Sequence, residues 1–390
     1  MKKKILYNYN KQFIDHDDIK KVIKTLKSPY LTQGNEIKKF EKNINNYFDS
    51  KYCTALSSGT AALFMLGKAL NWNKSDLILT SPINFFASVN SIIFNNAKYD
   101  FVDINSKDSN LDVKNLEDKI LFYKKKNRKV SAVIAVDYSG IPCDWEYLYY
   151  LKKKYKFFLI NDNCHSLGAS YKGSVKYAIK YADAVIHSYH PVKNITTAEG
   201  GAVLSNSKKL IDKIRLISNQ SIIRSKKRYW HYEINNIGFN FRLNEIQSSL
   251  GCSQLKKLNK FIKKRRFLSS IYDKNFSRSK FFFPLEISNN KKSAYHLYVV
   301  KTDFDKIGIS KDKFISNISQ KYSINLMYHY IPLYRQKFYK KKYKYEFFPN
   351  SEMHYKSAIS LPIHYSLNKS DIEYICNSLE SYASQKKRKK

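Results

Sequence analysis

The sequence predicts an α/β fold built on a mostly parallel sheet with helices on both faces, followed by a second, smaller α/β part. Three observations carry this expectation. Between residues 54 and 160, apolar runs of strand length alternate with stretches of helical spacing, and that rhythm implies parallel strands joined by crossover helices. At 390 residues the chain is long enough to bury a large core and to divide in two. A long helical pattern at 244–260 leads out of the first part. The expected domains are therefore 1–250 and 251–390, the second ending in a basic tail.

The elements follow in order. Helical spacing over 19–26 and over 36–47 is separated by the turn-like Tyr30-Leu-Thr-Gln-Gly34. A short strand at 54–56 precedes a helix at 60–70, and a strand at 77–80 precedes a helix at 87–95. Strands at 99–102 and 130–136 flank a helix at 113–123. A helix at 145–155 leads to a strand at 157–160. Ala184-Val185-Ile186 reads as a buried strand. Gly200-Gly201 reads as a tight turn, and Ala202-Val203-Leu204 as another strand. In the second part, 297–301 and 325–330 have strand character, and 372–382 reads as a closing helix.

Composition narrows the function classes. Apolar residues at 43% fit a soluble globular protein. A formal net charge of +38 points first to nucleic acid or membrane. The lysines, however, are scattered, and Asn, Ile and Tyr are also abundant. The concentrated runs, at 2–4, 263–266, 340–342 and 386–390, are short. Solvated faces and a frayed tail explain them more simply, with no specific nucleic acid and no membrane as partner, and only non-specific polyanion binding at low salt. Cys53, Cys143, Cys164, Cys252 and Cys376 are odd in number and far apart, with no CxxC pair. That predicts a reducing compartment, no disulfide framework and no metal site. The N-terminus has lysines but no apolar segment, and no run is long enough to span a bilayer, so a cytoplasmic protein is expected.

Four motifs fall at strand ends, where open α/β sheets bind ligands. Ser57-Ser58-Gly59-Thr60 sits between a strand and a helix, so backbone N–H groups are free to bind phosphate; an ordinary N-cap is the plain alternative. Pro82-Ile-Asn-Phe85-Phe86-Ala-Ser88 offers an aromatic able to cover a planar ring, or a core phenylalanine. Asp162 follows an apolar strand, where a carboxylate needs a cationic or hydrogen-bonding partner such as a protonated pyridine nitrogen. His165, three residues on, is placed to touch the same ring. An N-capping Asp and a satisfied core His are the plain alternatives. Lys193 lies between two buried strands in Ser188-Tyr-His-Pro-Val-Lys193-Asn-Ile-Thr-Thr-Ala-Glu199-Gly200-Gly201. There its amine loses hydration, its pKa falls and it becomes a usable nucleophile; the alternative is a surface hairpin. Phosphate cradle, aromatic cover, carboxylate and lysine together are the parts list for pyridoxal 5'-phosphate.

Taken with Gly238-Phe-Asn240-Phe-Arg242-Leu-Asn-Glu245-Ile-Gln247, Tyr328-His-Tyr-Ile-Pro332 and Leu361-Pro-Ile-His364, these motifs resemble the DegT/DnrJ/EryC1/StrS sugar aminotransferases over nearly the whole chain. The resemblance implies fold type I, the aspartate-aminotransferase-like fold of a pyridoxal-phosphate-dependent transferase. It implies that Lys193 is the Schiff-base lysine and moves the proton between cofactor and sugar. Asp162 would hold the ring nitrogen protonated, His165 would contact the ring hydroxyl and Phe85 would cover the ring. Gly59, Thr60 and Ser188 would anchor the phosphate or border the substrate. Asn240 would reach the neighbouring subunit's cofactor, making a homodimer with shared active sites. Tyr7, Tyr30, Thr32, Tyr328 and His329 match positions near the substrate.

Within the family, Tyr30-Leu-Thr-Gln-Gly34 paired with His190-Pro-Val-Lys193-Asn-Ile-Thr-Thr-Ala-Glu-Gly-Gly201 is similar to the pseudaminic acid branch. That branch aminates C4 of UDP-4-keto-6-deoxy-L-AltNAc, with L-glutamate as the expected donor. A bacillosamine- or perosamine-type aminotransferase and a non-catalytic cofactor-binding regulator are the competing readings. The sequence departs from the family pattern at Asn161, often acidic, at Asn194, often proline, and at Ser88, often threonine. None of these removes a catalytic group. The presence of Lys193 argues against the dehydratase members, which carry histidine there.

Overall fold

The computed structural model describes residues 6–340 and 348–387. The basic run at 2–4, Lys341, Lys342 and the end of the tail lie outside the described residues. Helices α1 (His16–Leu26) and α2 (Asn35–Phe48) precede a seven-stranded sheet. Its strands are β1 (Tyr52–Leu56), β2 (Leu77–Thr80), β3 (Lys98–Phe101), β4 (Ala132–Val136), β5 (Phe158–Asp162), β6 (Ala184–Ser188) and β7 (Gly201–Ser205). In space they run β1-β7-β6-β5-β4-β2-β3. β7 is antiparallel to both of its neighbours, and the other pairings are parallel.

Neighbouring strand residues feed opposite cores. Leu79, Val133, Leu159, Val185 and Leu204 face one side, with Phe40, Ile44 and Leu148. Ile78, Ile134, Ile160, Ile186 and Val203 face the other, with Leu63, Met65 and Ile92. A strand covered on both faces reads as a continuous apolar run, which is why these segments were legible.

Three expectations are corrected by the structure. First, β5 extends to Asp162 and does not stop at residue 160, because Asn161 and Asp162 still pair with Ala135 and Val136 of β4. Second, residues 325–330 form no strand. Only isolated bridges hold that region, Tyr7↔Ile324 before it and Met327↔Ser360 within it. Beyond Met327 the chain turns inward, where the His329 carbonyl accepts from the Tyr138 hydroxyl. Third, the helix expected over 244–260 continues to Phe276. Its buried stripe runs on through the basic cluster because Arg265 is itself buried. That guanidinium donates to the carbonyls of Tyr295 (2.9 Å) and Ile363 (2.8 Å) and to Asn10 Oδ1 (3.0 Å).

This long helix, Glu245–Phe276, joins two cores. Leu255, Leu258, Phe261 and Ile262 pack on the main sheet. Leu268, Tyr272 and Phe276 pack with Phe282, Val300, Ile318, Ile359 and Leu379 around a three-stranded antiparallel sheet, closed by helix Lys369–Lys387. The start of the helix is fixed by an Asn244–Gln247 capping box. Glu245 does a further job. It is buried, and its carboxylate accepts from the backbone N–H groups of Gly34 (3.0 Å), Glu36 (2.6 Å) and Ile37 (3.3 Å). It thereby caps α2, whose own N-cap residue, Gly34, has no side chain to do so. Glu245→Ala should cost about 2–4 kcal/mol, since three helix-start donors lose a charged acceptor. Glu245→Gln, which keeps one acceptor oxygen, should lose less. Urea unfolding checks both, and equal losses would mean that packing rather than capping is at stake.

Candidate active site

The segments carrying the motifs gather at one edge of the sheet: the carboxyl ends of β1, β2, β5 and β6 and the start of β7. Asp162, the last residue of β5, is buried. Its Oδ2 accepts from Ser88 Oγ at 3.0 Å, and its Oδ1 accepts from the Cys164 backbone N–H at 3.2 Å. Ser88 comes from α4 (Ala87–Phe94), which follows β2. The Asn163–Ser166 turn after β5 is held from below by Asp137, fully buried at the end of β4. Asp137 accepts from Tyr177 OH (2.6 Å), Ser166 Oγ (2.9 Å), Trp145 Nε1 (2.9 Å), the Cys143 N–H (2.8 Å) and Asn163 Nδ2 (3.2 Å).

Lys193 lies on a loop that leaves β6 and returns as β7. Three hydrogen bonds close the loop: Tyr189 N–H to the Gly200 carbonyl, and the Thr197 N–H and Thr196 hydroxyl to the Tyr189 carbonyl. Asn10 Nδ2 pins the Val192 carbonyl at 2.5 Å. The Lys193 side chain is half-buried, and its amine has no hydrogen bond or ion pair among the described residues. Burial lowers its pKa below the usual lysine value, while Cys164 and Asp162 pull it back up. The amine's charge in turn helps to push down the pKa values of His165, His296 and His329, for each of which burial is the larger cause. The lysine is therefore at the electrostatic centre of the cluster.

His165 is buried. Its Nε2 lies 3.1 Å from Tyr330 OH, and its ring lies 4.4 Å from that of His296. Its Nδ1 is buried without a hydrogen-bond partner. Phe85 is 45% exposed and stands 6.2 Å from the Tyr330 ring, so it forms an accessible wall of the cleft.

Helix α3 (Gly59–Ala69) starts at the same edge. Ser58 Oγ takes the Ala61 N–H, which leaves those of Gly59 and Thr60 as the unclaimed donors of the first turn. The approach is close. A Cβ on Gly59 would stand 2.9 Å from Ser188 Cβ, and one on Gly201 would stand 2.4 Å from the Ser58 carbonyl. Both positions need glycine for the helix start to meet β6 and β7.

Of the remaining expected site residues, His329 stands beside the cluster and the others are placed elsewhere. Tyr7 packs on Tyr374 and donates to Asp371. Tyr30 and Thr32 are exposed on the α1–α2 loop. Tyr328 donates to Asp312 and lies under Lys311, whose amine is 4.0 Å from the ring centre. His329 Nδ1 meets Ser360 Oγ at 2.9 Å, and its ring packs on Tyr9. Asn240 is exposed and makes no side-chain hydrogen bond among the described residues; its backbone bridges Asn219. Two residues not singled out from the sequence do reach the cluster. Ser88 ends the Pro82–Ser88 motif, where the sequence departs from threonine, and Tyr330 stands two places beyond Tyr328 in the Tyr328–Pro332 motif.

This arrangement sets an unpaired, desolvated amine near a buried carboxylate, beside a helix start with free N–H donors and an aromatic wall. Such a set can hold a phosphorylated aromatic ring and carry out nucleophilic and proton-transfer chemistry on it. Comparison with known proteins agrees with the geometry. A transaminase of Campylobacter jejuni, UDP-4-amino-4,6-dideoxy-N-acetyl-beta-L-altrosamine transaminase, is 36% identical over 376 residues, 96% of this chain and 97% of the relative. The Helicobacter pylori transaminase of the same name is 33% identical over 375 residues, 96% of each chain. The structure of Helicobacter pylori PseC, an aminotransferase involved in the biosynthesis of pseudoaminic acid, superposes with a TM-score of 0.91 at 31% identity, over 98% of this chain and 100% of that one. The fold is thus the aspartate-aminotransferase-like fold type I, a large domain on a mostly parallel sheet with a smaller C-terminal α/β domain. With its family profile matching residues 12–380, the chain belongs to the DegT/DnrJ/EryC1/StrS aminotransferase family.

Proposed function

We propose that this protein is a pyridoxal-phosphate-dependent aminotransferase that moves the amino group of L-glutamate to C4 of a nucleotide-linked 4-keto-6-deoxy sugar. The best candidate is UDP-4-keto-6-deoxy-L-AltNAc, for a pseudaminic-acid-type surface glycan, made in the cytoplasm. The observation that carries the reading is the Lys193 amine: desolvated, with no hydrogen bond or ion pair among the described residues, and with the Asp162 carboxylate close enough to raise its pKa against the effect of burial. The names of the Campylobacter and Helicobacter relatives, both altrosamine transaminases, support the sugar assignment.

The side chains present fit the cofactor. Lys193 would hold its aldehyde carbon, Asp162 its ring nitrogen and His165 its ring oxygen. The Gly59 and Thr60 N–H groups, with Ser188, would hold its phosphate, and Phe85 would cover its face. When bound, the cofactor supplies an electron sink for the carbon that gains or loses the amine. The chain's own residues do the rest. Asp162, oriented by Ser88 and by the Cys164 N–H, keeps a proton on the ring nitrogen. Lys193, with its lowered pKa, is available as a base and carries a proton from one carbon to the other. The aromatic wall and buried histidines exclude water.

Incubation with L-glutamate and a panel of UDP-, GDP- and dTDP-linked 4-keto sugars, read by mass spectrometry, tests this. A product in which an amino group replaces the ketone is expected, with the UDP-linked 2-acetamido sugar preferred. No amine transfer to any of them would overturn the reading.

The same proposal includes a homodimer with shared sites. Support comes from Asn240, exposed and with no side-chain hydrogen bond among the described residues, and from the hairpin beside it, with strands Ile222–Arg224 and Tyr232–Ile234. That hairpin exposes Trp230, Tyr232, Ile234 and Ile237 at 53% or more, an apolar arm that a second copy would cover. Inactive Lys193→Ala mixed with a strongly defective Asn240 variant should regain activity on subunit exchange, because one site of each heterodimer carries neither defect. A mixture that stays inactive after verified exchange would place Asn240 in its own subunit's site.

A further inference from the structure

We propose that Tyr330 is a positioning residue that sets the tautomer of His165, so that His165 Nδ1 carries the proton and offers a hydrogen-bond donor to the cofactor's ring oxygen. The identity of that acceptor rests on the cofactor reading above; the tautomer rests on this chain's side chains alone.

Tyr330 OH and His165 Nε2 are 3.1 Å apart, and their rings stack at 6.0 Å and 27°. Burial pushes the Tyr330 phenol well above its ordinary value, so it keeps its proton at neutral pH. Burial first, and then the positive charge of the Lys193 amine, hold His165 well below the ordinary imidazole value, so its ring carries a single proton. That proton has two possible places. On Nε2 it points at the tyrosine oxygen. The phenol O–H then has no acceptor among the described residues, and Nδ1 is a bare acceptor. On Nδ1 it leaves Nε2 free to accept from the phenol, and only the Nδ1–H is without a partner. The second arrangement leaves one polar group without a partner where the first leaves two, the half-buried Tyr330 hydroxyl and the buried Nδ1, and polar groups shielded from water without a partner are costly. An Nδ1–H donor suits an oxygen that carries negative charge, whereas a bare Nδ1 would repel it.

The tyrosine is itself held in place. The carbonyl of the preceding residue, His329, accepts from Tyr138 OH and lies 3.1 Å from His354 Nε2. His354 Nδ1 meets Ser109 Oγ at 2.9 Å, and His329 Nδ1 meets Ser360 Oγ at 2.9 Å. The backbone that carries Tyr330 is therefore clamped from the large domain through Tyr138 and Ser109, and from the small domain through Ser360. Outer groups that fix the orientation of an inner one are what keep a site within its productive geometry.

Nitrogen-15 NMR of imidazole-labelled, cofactor-free protein tests the tautomer directly, with the His165 signal identified by its loss in His165→Gln. The proton is expected on Nδ1 in the unmodified chain, and on Nε2 or in a mixture in Tyr330→Phe. In titrations with pyridoxal phosphate, Tyr330→Phe should bind roughly ten-fold more weakly and shift the pH midpoint of the bound cofactor's visible band. In the His165→Gln background it should add nothing. An Nε2 proton in the unmodified chain overturns the proposal, as does a Tyr330→Phe protein with unchanged tautomer and unchanged affinity. Should Tyr330→Phe not fold, the spectrum of the unmodified chain still decides. An Nδ1 proton in a chain that binds no pyridoxal phosphate would sink the cofactor reading and leave the tyrosine–histidine relation standing.

Discussion

Lys193→Ala is expected to fold, to bind the cofactor and to lose amine transfer by more than about 10⁴-fold. That exceeds the ~10²–10⁴-fold usual for an acid–base group alone, because in the proposed function one amine would serve as both covalent anchor and proton carrier. Folding should survive because the loop is held by other atoms: the Tyr189–Gly200 and Thr197–Tyr189 backbone bonds and the Asn10 bond to Val192 all remain. The amine itself has no hydrogen bond to lose. Removing a desolvated cation without a paired anion should leave stability level or slightly higher. Single-turnover assay and thermal unfolding check the two halves. A variant that transfers amine at near-normal rate would remove Lys193 from the chemistry. A variant that merely unfolds would point to a structural lysine.

Asp162→Asn is expected to lower turnover by at least ~10²-fold while changing stability little. The amide is nearly isosteric. Its oxygen can still accept from the Cys164 N–H, and its NH₂ can donate to Ser88 Oγ, which then serves as acceptor. What the amide lacks is the charge that, in the proposed function, would keep a proton on the cofactor's ring nitrogen. If Asp162 only caps the turn that follows it, the substitution should be nearly silent, since Asn is as good a cap as Asp. Turnover per folded enzyme, with the unfolding midpoint beside it, separates the two cases.

Legibility varied with the physical cause. The strands of the main sheet could be read because residues such as Val185 and Ile186 face different cores, and a strand buried on both sides is apolar throughout. That Lys193, Asp162 and His165 come together could be read because each follows such a strand at the same edge of the sheet; the roles proposed for them come from the family resemblance. Tyr330 could not be read in this way. The preference between Tyr328 and Tyr330 depends on which way each side chain leaves an irregular segment, and that is set by Tyr138, His354 and Ser360, far away in sequence. The role of Glu245 was hidden for a similar reason, because its three partners lie more than two hundred residues upstream. The end of the long helix was misplaced at 260 because the basic cluster reads as solvated, whereas Arg265 is buried against backbone carbonyls supplied by other elements.

The single antiparallel strand has a consequence for how the chain is made. Among the described residues β1 joins the sheet through β7, so its partner strand starts 145 residues after β1 ends, at Gly201 against Leu56. The strands between them, β3-β2-β4-β5-β6, need nothing from outside residues 77–188 to pair with one another. At a synthesis rate of ~5–20 residues per second, β1 leaves the ribosome roughly 7–30 seconds before the segment that receives it. During that interval an apolar strand has an unpaired edge, the state from which nascent chains aggregate or recruit chaperones. The middle of the sheet can form as it emerges. The helix start that carries Gly59 and Thr60 is brought against Ser188 only when Gly201 arrives to close the gap, so the place proposed for the phosphate is among the last parts of the large domain to exist.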